Sequence, residues 1–277
     1  MSKQARRARP EDRSAIKELA QGAHRSLSLL RQWEECLGDD LFILLEREGA
    51  VTGALLAWPD ESPVAWMRLA ALADGQDIAE WLDLTLPLVL EGLRRRGTRS
   101  LAWMDYDGWA GLPLEARGFE RLTDVIALVK FGRALPDVSG ASVCLRPATD
   151  ADVPAVVAVD RAAFTPHWWH SEDTLRRRAV ASSHFVVAEV AGSVVGYAEG
   201  ELRLPDAHLN RIAVHPDHQG HGVGALLLRD VLRAFWQSEA NQVSLNTQTD
   251  NRFSQQLYRH FGFEPLGSTM TAWELQL

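Results

Sequence analysis

Along the second half of the chain the apolar positions change period several times. Residues 184–189 and 193–201 alternate apolar and polar side chains around Ala191-Gly192, which predicts a hairpin. Residues 209–214 form a short strand pattern with Ile212 and Val214 on one face. From 222 to 237 the spacing becomes helical, with Leu226, Leu227, Val231, Leu232 and Phe235 sharing a side. Residues 243–247 read as a strand, 252–261 as a helix and 269–275 as a last strand. Upstream, 143–146 reads as a strand and 150–164 as a helix with an Asp-rich first turn. This alternation predicts an α/β class protein, a mixed sheet with helices on its faces.

The plan occurs twice. Arg6 to Ile16 parallels Arg146 to Val156, and Leu44 to Gly53 parallels Val187 to Gly196. Arg117-Gly118-Phe119-Glu120 parallels Phe261-Gly262-Phe263-Glu264, and all three matches share an offset of about 140 residues. Two tandem domains, 1–135 and 141–277, follow from this repeat. The joint falls in the Pro/Ser/Gly stretch 133–140, between two strand-like runs.

Composition narrows the function. The net charge of −8 disfavours nucleic acid as a partner and suits cationic acceptors such as amines. No apolar run reaches the roughly 18 residues of a membrane span, and the basic start leads into Pro10-Glu11-Asp12 rather than a signal-peptide core, so the cytoplasm is expected. Cys36 and Cys144 have no CxxC neighbour and are expected to be buried as small hydrophobes. His208, His215, His218 and His221 lack metal-site spacing, so no metal is expected.

The candidate chemistry sits at Gln219-Gly220-His221-Gly222-Val223-Gly224, between the 209–214 strand and the helix that follows. N–H groups at a helix N-terminus are unpaired and partly positive, so they bind phosphate, and glycines there let it approach the backbone. A dinucleotide fold is disfavoured, because the turn follows the fourth strand of its half and no acidic residue ends the next strand about 20 residues on.

The run Arg211-Ile212-Ala213-Val214-His215-Pro216-Asp217-His218-Gln219-Gly220-His221-Gly222-Val223-Gly224-Ala225 resembles the acetyl-CoA signature of the GNAT acetyltransferase superfamily. Asn251 to Phe263, with Leu257-Tyr258 and Gly262-Phe263, is similar to that family's second signature. Arg146-Pro147-Ala148-Thr149 opens the half in the family's manner, so the resemblance covers about 143–277. It implies two tandem GNAT-like domains and an acetyl-CoA-dependent N-acetyltransferase. The expected acceptor is a primary amine, on a small molecule or a peptide. The segment Ala163 to Ser171 is similar to the acceptor side of enzymes that acetylate protein N-termini.

By this resemblance the backbone of Gln219, Gly220, His221, Gly222, Val223 and Gly224 holds the pyrophosphate of acetyl-CoA. That of Ile212, Ala213 and Val214 meets the pantetheine arm, Asn251 contacts the arm, and Tyr258 protonates the departing thiolate. The glutamate that many members use as a base is replaced by Asn210 and Asn246, leaving Glu199 and His208 as candidate bases. The missing glutamate motivates an alternative, a non-catalytic acyl-CoA-binding or sensor protein. In the first half, Ile78, Glu80 and Leu114 stand where Gly222, Gly224 and Tyr258 stand in the second, so that half is expected to lack the pyrophosphate turn.

Overall fold

The computed structural model describes residues 3–29, 32–59, 63–138 and 142–277. Strands and helices alternate through both halves, as the changing hydrophobic period requires. The first half contributes β1 (Lys3–Arg7), α1 (Arg13–Gly22), β2 (Arg25–Ser28), β3 (Phe42–Arg47), β4 (Ala50–Trp58) and β5 (Val64–Leu72). It continues with α2 (Ile78–Arg95), β6 (Ser100–Asp105), α3 (Gly111–Glu115) and β7 (Glu120–Lys130). The second contributes β8 (Cys144–Pro147), α4 (Val153–Ala163), α5 (Glu172–Ala181), β9 (His184–Val190) and β10 (Ser193–Arg203). After these come β11 (Asp206–Val214), α6 (Val223–Gln237), β12 (Gln242–Gln248), α7 (Arg252–His260) and β13 (Glu264–Gln276). Helix α5 is not foreseen from the sequence, and the last strand is longer than the predicted 269–275.

The chain forms two compact units, residues 1–123 with 270–277, and residues 124–269. This division differs from the contiguous 1–135 and 141–277, for a reason visible in the pairing. Val125 to Lys130 of β7 pair antiparallel with β12. Thr271 to Gln276 of β13 pair antiparallel with β6. Each unit thus takes a closing strand from the other half of the sequence. The predicted joint lies within this exchange, and its Ser139 and Gly140 fall outside the described residues.

In the first unit β1, β3, β4 and β5 run antiparallel in that order, and β5 then pairs parallel with β6. In the second, β8, β9, β10 and β11 are antiparallel neighbours, and β11 then pairs parallel with β12. Apolar clusters cover both faces of each sheet. In the second unit, Leu227, Val231, Leu232 and Phe235 of α6 pack on one face, while Val153, Val156 and Val157 of α4 pack with Tyr197 and Ala213 on the other. Cys36 is buried, whereas Cys144 is exposed, contrary to expectation, because its four-residue strand leaves its side chain uncovered. No helix among the described residues is long and apolar enough to cross a membrane.

Candidate active site

Strand β11 carries the site, and its two edges differ. One edge is paired with β10 along its length, from Arg203↔Asp206 to Gly196↔Val214. The other pairs with β12 only from Asp206 to Leu209. Beyond Leu209 the strands part, and the second edge of Asn210 to Val214 has no strand partner among the described residues. Ile212, Ala213 and Val214 lie on this open edge. The Val214 carbonyl is already engaged by the side-chain amide of Gln219, at 2.9 Å.

A β-bulge sits where the parting begins. Glu199 opposes Arg211 and Gly200 opposes Leu209, so Asn210 is the extra residue on β11. The bulge reverses the alternation. Ala207 and Leu209 face the α6 side of the sheet, whereas Arg211 and Ala213 face the α4 side. It also turns Asn210 toward Glu199, and the Asn210 Nδ2 donates to Glu199 Oε2 at 3.0 Å.

The glycine turn closes the open edge. Gly220 and Gly222 have φ of +76° and +85°, the left-handed region that strains any side chain. Gly224 differs, since a Cβ there would make only ordinary contacts, with Leu257 Cδ2 at 3.6 Å and Val214 Cγ2 at 3.7 Å. Gly222 caps α6 without a side-chain bond, and Leu226 N–H donates to Gly222 O at 3.0 Å. Among the described residues, no backbone hydrogen bond of normal geometry engages the N–H groups of Gly220, His221, Gly222, Val223 or Gly224. Gln219 N–H differs, since it donates to Pro216 O at 3.1 Å.

Tyr258 is buried on α7, edge-on to Phe263 at 5.8 Å between ring centroids. Burial raises its pKa well above the ordinary tyrosine value, opposed by a Ser254 hydrogen bond and the Arg211 charge, so its proton stays in place at neutral pH. Asn251 caps the same helix: its Oδ1 accepts Ser254 N–H at 3.1 Å, leaving its amide nitrogen as a donor.

The two candidate bases occupy different settings. Glu199 is fully buried, with Oε1 on Arg178 Nη1 and Oε2 accepting from Ser182 Oγ at 2.9 Å and from Asn210. Three donors thus converge on its carboxyl group. His208 is half-buried, and burial lowers its pKa against the pull of Glu199 and Glu201. Its Nδ1 lies 2.8 Å from Ser244 Oγ, which in turn donates to Ala207 O at 3.4 Å. Nδ1 thus faces that hydroxyl, and Nε2 is the ring nitrogen turned away from it.

A second buried network escapes the sequence reading. Asp160 on α4 is fully buried; its Oδ2 accepts from Tyr197 OH at 2.5 Å and from Arg211 Nε and Nη2 at 3.0 and 2.7 Å. Its only sequence signal is an acid beside Arg161 in a helix whose other positions are apolar. No group of three or more metal-ligating side chains is found among the described residues.

The first unit repeats this frame with its openings filled. Strand β5 parts from β6 after Trp66, but Leu69 to Leu72 on the same edge pair with β2. Leu29 N–H extends that contact to Arg68 O at 2.8 Å. At the start of α2, the Asp77 carboxylate accepts Glu80 N–H at 2.8 Å, so an anion already caps that helix. Trp103 is buried against buried Trp81 and partly buried Trp109, and Tyr106 is exposed.

Comparisons with known proteins agree with this geometry. The acetyltransferase (GNAT) family matches residues 154–263. The N-alpha-acetyltransferase RimI of Mycobacterium tuberculosis is 36% identical over 97 residues, covering 33% of this chain and 59% of that protein. Among solved structures, a GCN5-related N-acetyltransferase from Sphaerobacter thermophilus superposes with a TM-score of 0.69 at 17% identity, covering 99% of this chain and 95% of that one. A tandem GNAT protein from the clavulanic acid biosynthesis pathway gives 0.66 at 17% identity, covering 99% and 98%. These two show a shared fold along the whole chain. Through the glycine turn, the parted strands and the match over residues 154–263, the chain carries an acetyltransferase domain of the GNAT family.

Proposed function

We propose that the second unit transfers acetyl from acetyl-CoA to the α-amino group of a peptide or protein N-terminus, and that the first unit binds no cofactor. The observation that carries the reading is the open edge of β11 leading into the uncapped N-terminus of α6. An extended pantetheine arm can pair with Ile212 and Ala213 as an added strand, while Gly220 to Gly224 present N–H donors to the pyrophosphate. The α-amino acceptor is favoured by the likeness to an N-alpha-acetyltransferase and by the Ala163 to Ser171 segment beside Arg211.

In the proposed reaction the neutral amine nitrogen forms a bond to the thioester carbon as the carbon–sulfur bond breaks. Tyr258 gives its proton to the leaving thiolate, and the amine's proton passes to Nε2 of His208, directly or through water. Glu199 favours that transfer through its charge, since it raises the affinity of His208 for a proton. In the first unit, β2 covers the edge an arm needs and Asp77 repels a phosphate.

The test is steady-state thiol release from acetyl-CoA with a hexapeptide beginning in alanine, compared with spermidine and lysine. Release that depends on the peptide and requires its free α-amino group supports the proposal. A preference for the small amines overturns the acceptor. Binding without acceptor-dependent release instead supports the acyl-CoA sensor, which the asparagines at 210 and 246 favour. Calorimetry on the whole chain should give one acetyl-CoA per chain, and two would sink the assignment of the first unit.

A further inference from the structure

We infer that Arg211 is a positioning residue that fastens the Phe164 to Ser171 segment to β11, and so sets acceptor affinity separately from acetyl-CoA affinity. The inference rests on the proposed transfer reaction, but its geometry is independent of it. The bulge at Asn210 turns Arg211 onto the α4 side of the sheet. Its guanidinium lies 3.6 Å above the centre of the Phe164 ring and donates to the Trp168 carbonyl. The same fork meets Asp160 Oδ2 through two nitrogens. Asp160 Oδ1 then accepts the backbone N–H of His170 at 3.0 Å. The segment is therefore held near its start by a ring face, and further on by a carbonyl and an N–H. It is also tied to itself, because Trp169 Nε1 donates to Phe164 O at 2.9 Å.

This arrangement needs arginine in particular. A planar fork serves two acceptors at once while its face stacks on an aromatic ring, and a lysine ammonium can do only part of this. The Arg211 side chain is only 10% exposed and that of Asp160 is fully enclosed, so the pair is isolated from water.

The test compares the full-length protein with Arg211→Lys. Amide exchange over residues 164–171 should accelerate about tenfold or more, with α6 unchanged. KM for the alanine-initiated hexapeptide should rise about tenfold, kcat should fall less than threefold, and acetyl-CoA affinity by calorimetry should stay within twofold. Should the lysine variant fail to fold, Arg211→Met with Asp160→Asn removes the buried charges while leaving an acceptor for the His170 N–H, and faster exchange over 164–171 with a raised peptide KM is again expected. Unchanged exchange over 164–171, or an unchanged peptide KM, overturns the inference. Equal losses in both substrates overturn it too, since they mark a merely structural role. A wild type inactive on the peptide refutes the acceptor assignment, and the exchange measurement then decides the fastening alone.

Discussion

Tyr258→Phe keeps the ring and its edge contact with Phe263, and removes only the hydroxyl. As the proposed acid, its loss should lower kcat about 10²-fold, the gentle end of general-acid effects because a thiolate leaves readily. The KM for acetyl-CoA should hold, and the lost Ser254 contact should reduce stability by about 1 kcal/mol. Steady-state kinetics and calorimetry on one preparation separate these effects; an unchanged kcat would return Tyr258 to the core. His208 makes a second residue-scale test. Burial lowers its pKa below the ordinary ~6.5, and a base must be unprotonated. Transfer should therefore rise as pH increases through that lowered value, with the acidic limb below about pH 6.5. His208→Gln should flatten this limb. Glu199→Gln should retain a limb but lose stability, up to about 3 kcal/mol, since Arg178 is 33% exposed and keeps some solvation. A limb that survives His208→Gln removes histidine from the mechanism.

The repeat seen in the sequence recurs as a pair of matching staples between elements. Arg6 on β1 grips Asp12 with two nitrogens and Glu46 on β3 with a third contact. Arg146 on β8 grips Asp152 in the same bidentate manner and reaches Glu189 on β9. The Arg146 guanidinium and Thr149 donors hold the Asp152 carboxyl far below the usual carboxylate range. A depressed folded pKa gives stability that is full above the unfolded value near ~3.9 and lost as pH falls through the folded one. Asp152→Asn should therefore lower stability at pH 7 and weaken its loss below about pH 4, as measured by urea unfolding across pH. An unchanged acid dependence would show that the staple adds nothing. These elements were legible because arginine, aspartate and the apolar runs recur at one spacing. Helix α5 was not, because Leu175 is its one buried residue and its other positions are mostly polar or exposed. The bulge at Asn210 left no trace either: it is a mismatch between two strands, and neither strand's composition records it. The glycine turn and Tyr258 were readable for the opposite reason, since positive φ and a buried hydroxyl each demand a particular residue at a fixed place.

At the scale of the molecule, the division into units was only half legible. Composition marks the joint near 133–140, but a strand exchange depends on pairing partners well over 100 residues apart in sequence, which no local pattern encodes. Removal of residues 270–277 should therefore loosen the first unit rather than the second. Hydrogen exchange should show β6 losing protection while α6 keeps it, and the reverse pattern would refute the exchange. A further consequence concerns time. The strand that completes the first unit is translated after all of the second, so β6 waits for its neighbour while residues 124–269 are made. At about 5–20 residues per second, that wait lasts on the order of ten seconds or more. Meanwhile the edge of β6, lined by Leu101 and Trp103, is an unpaired template that other nascent chains can reach. Slower synthesis, which helps many proteins fold, should here lengthen the exposure, and yield should fall with it unless a chaperone covers that edge.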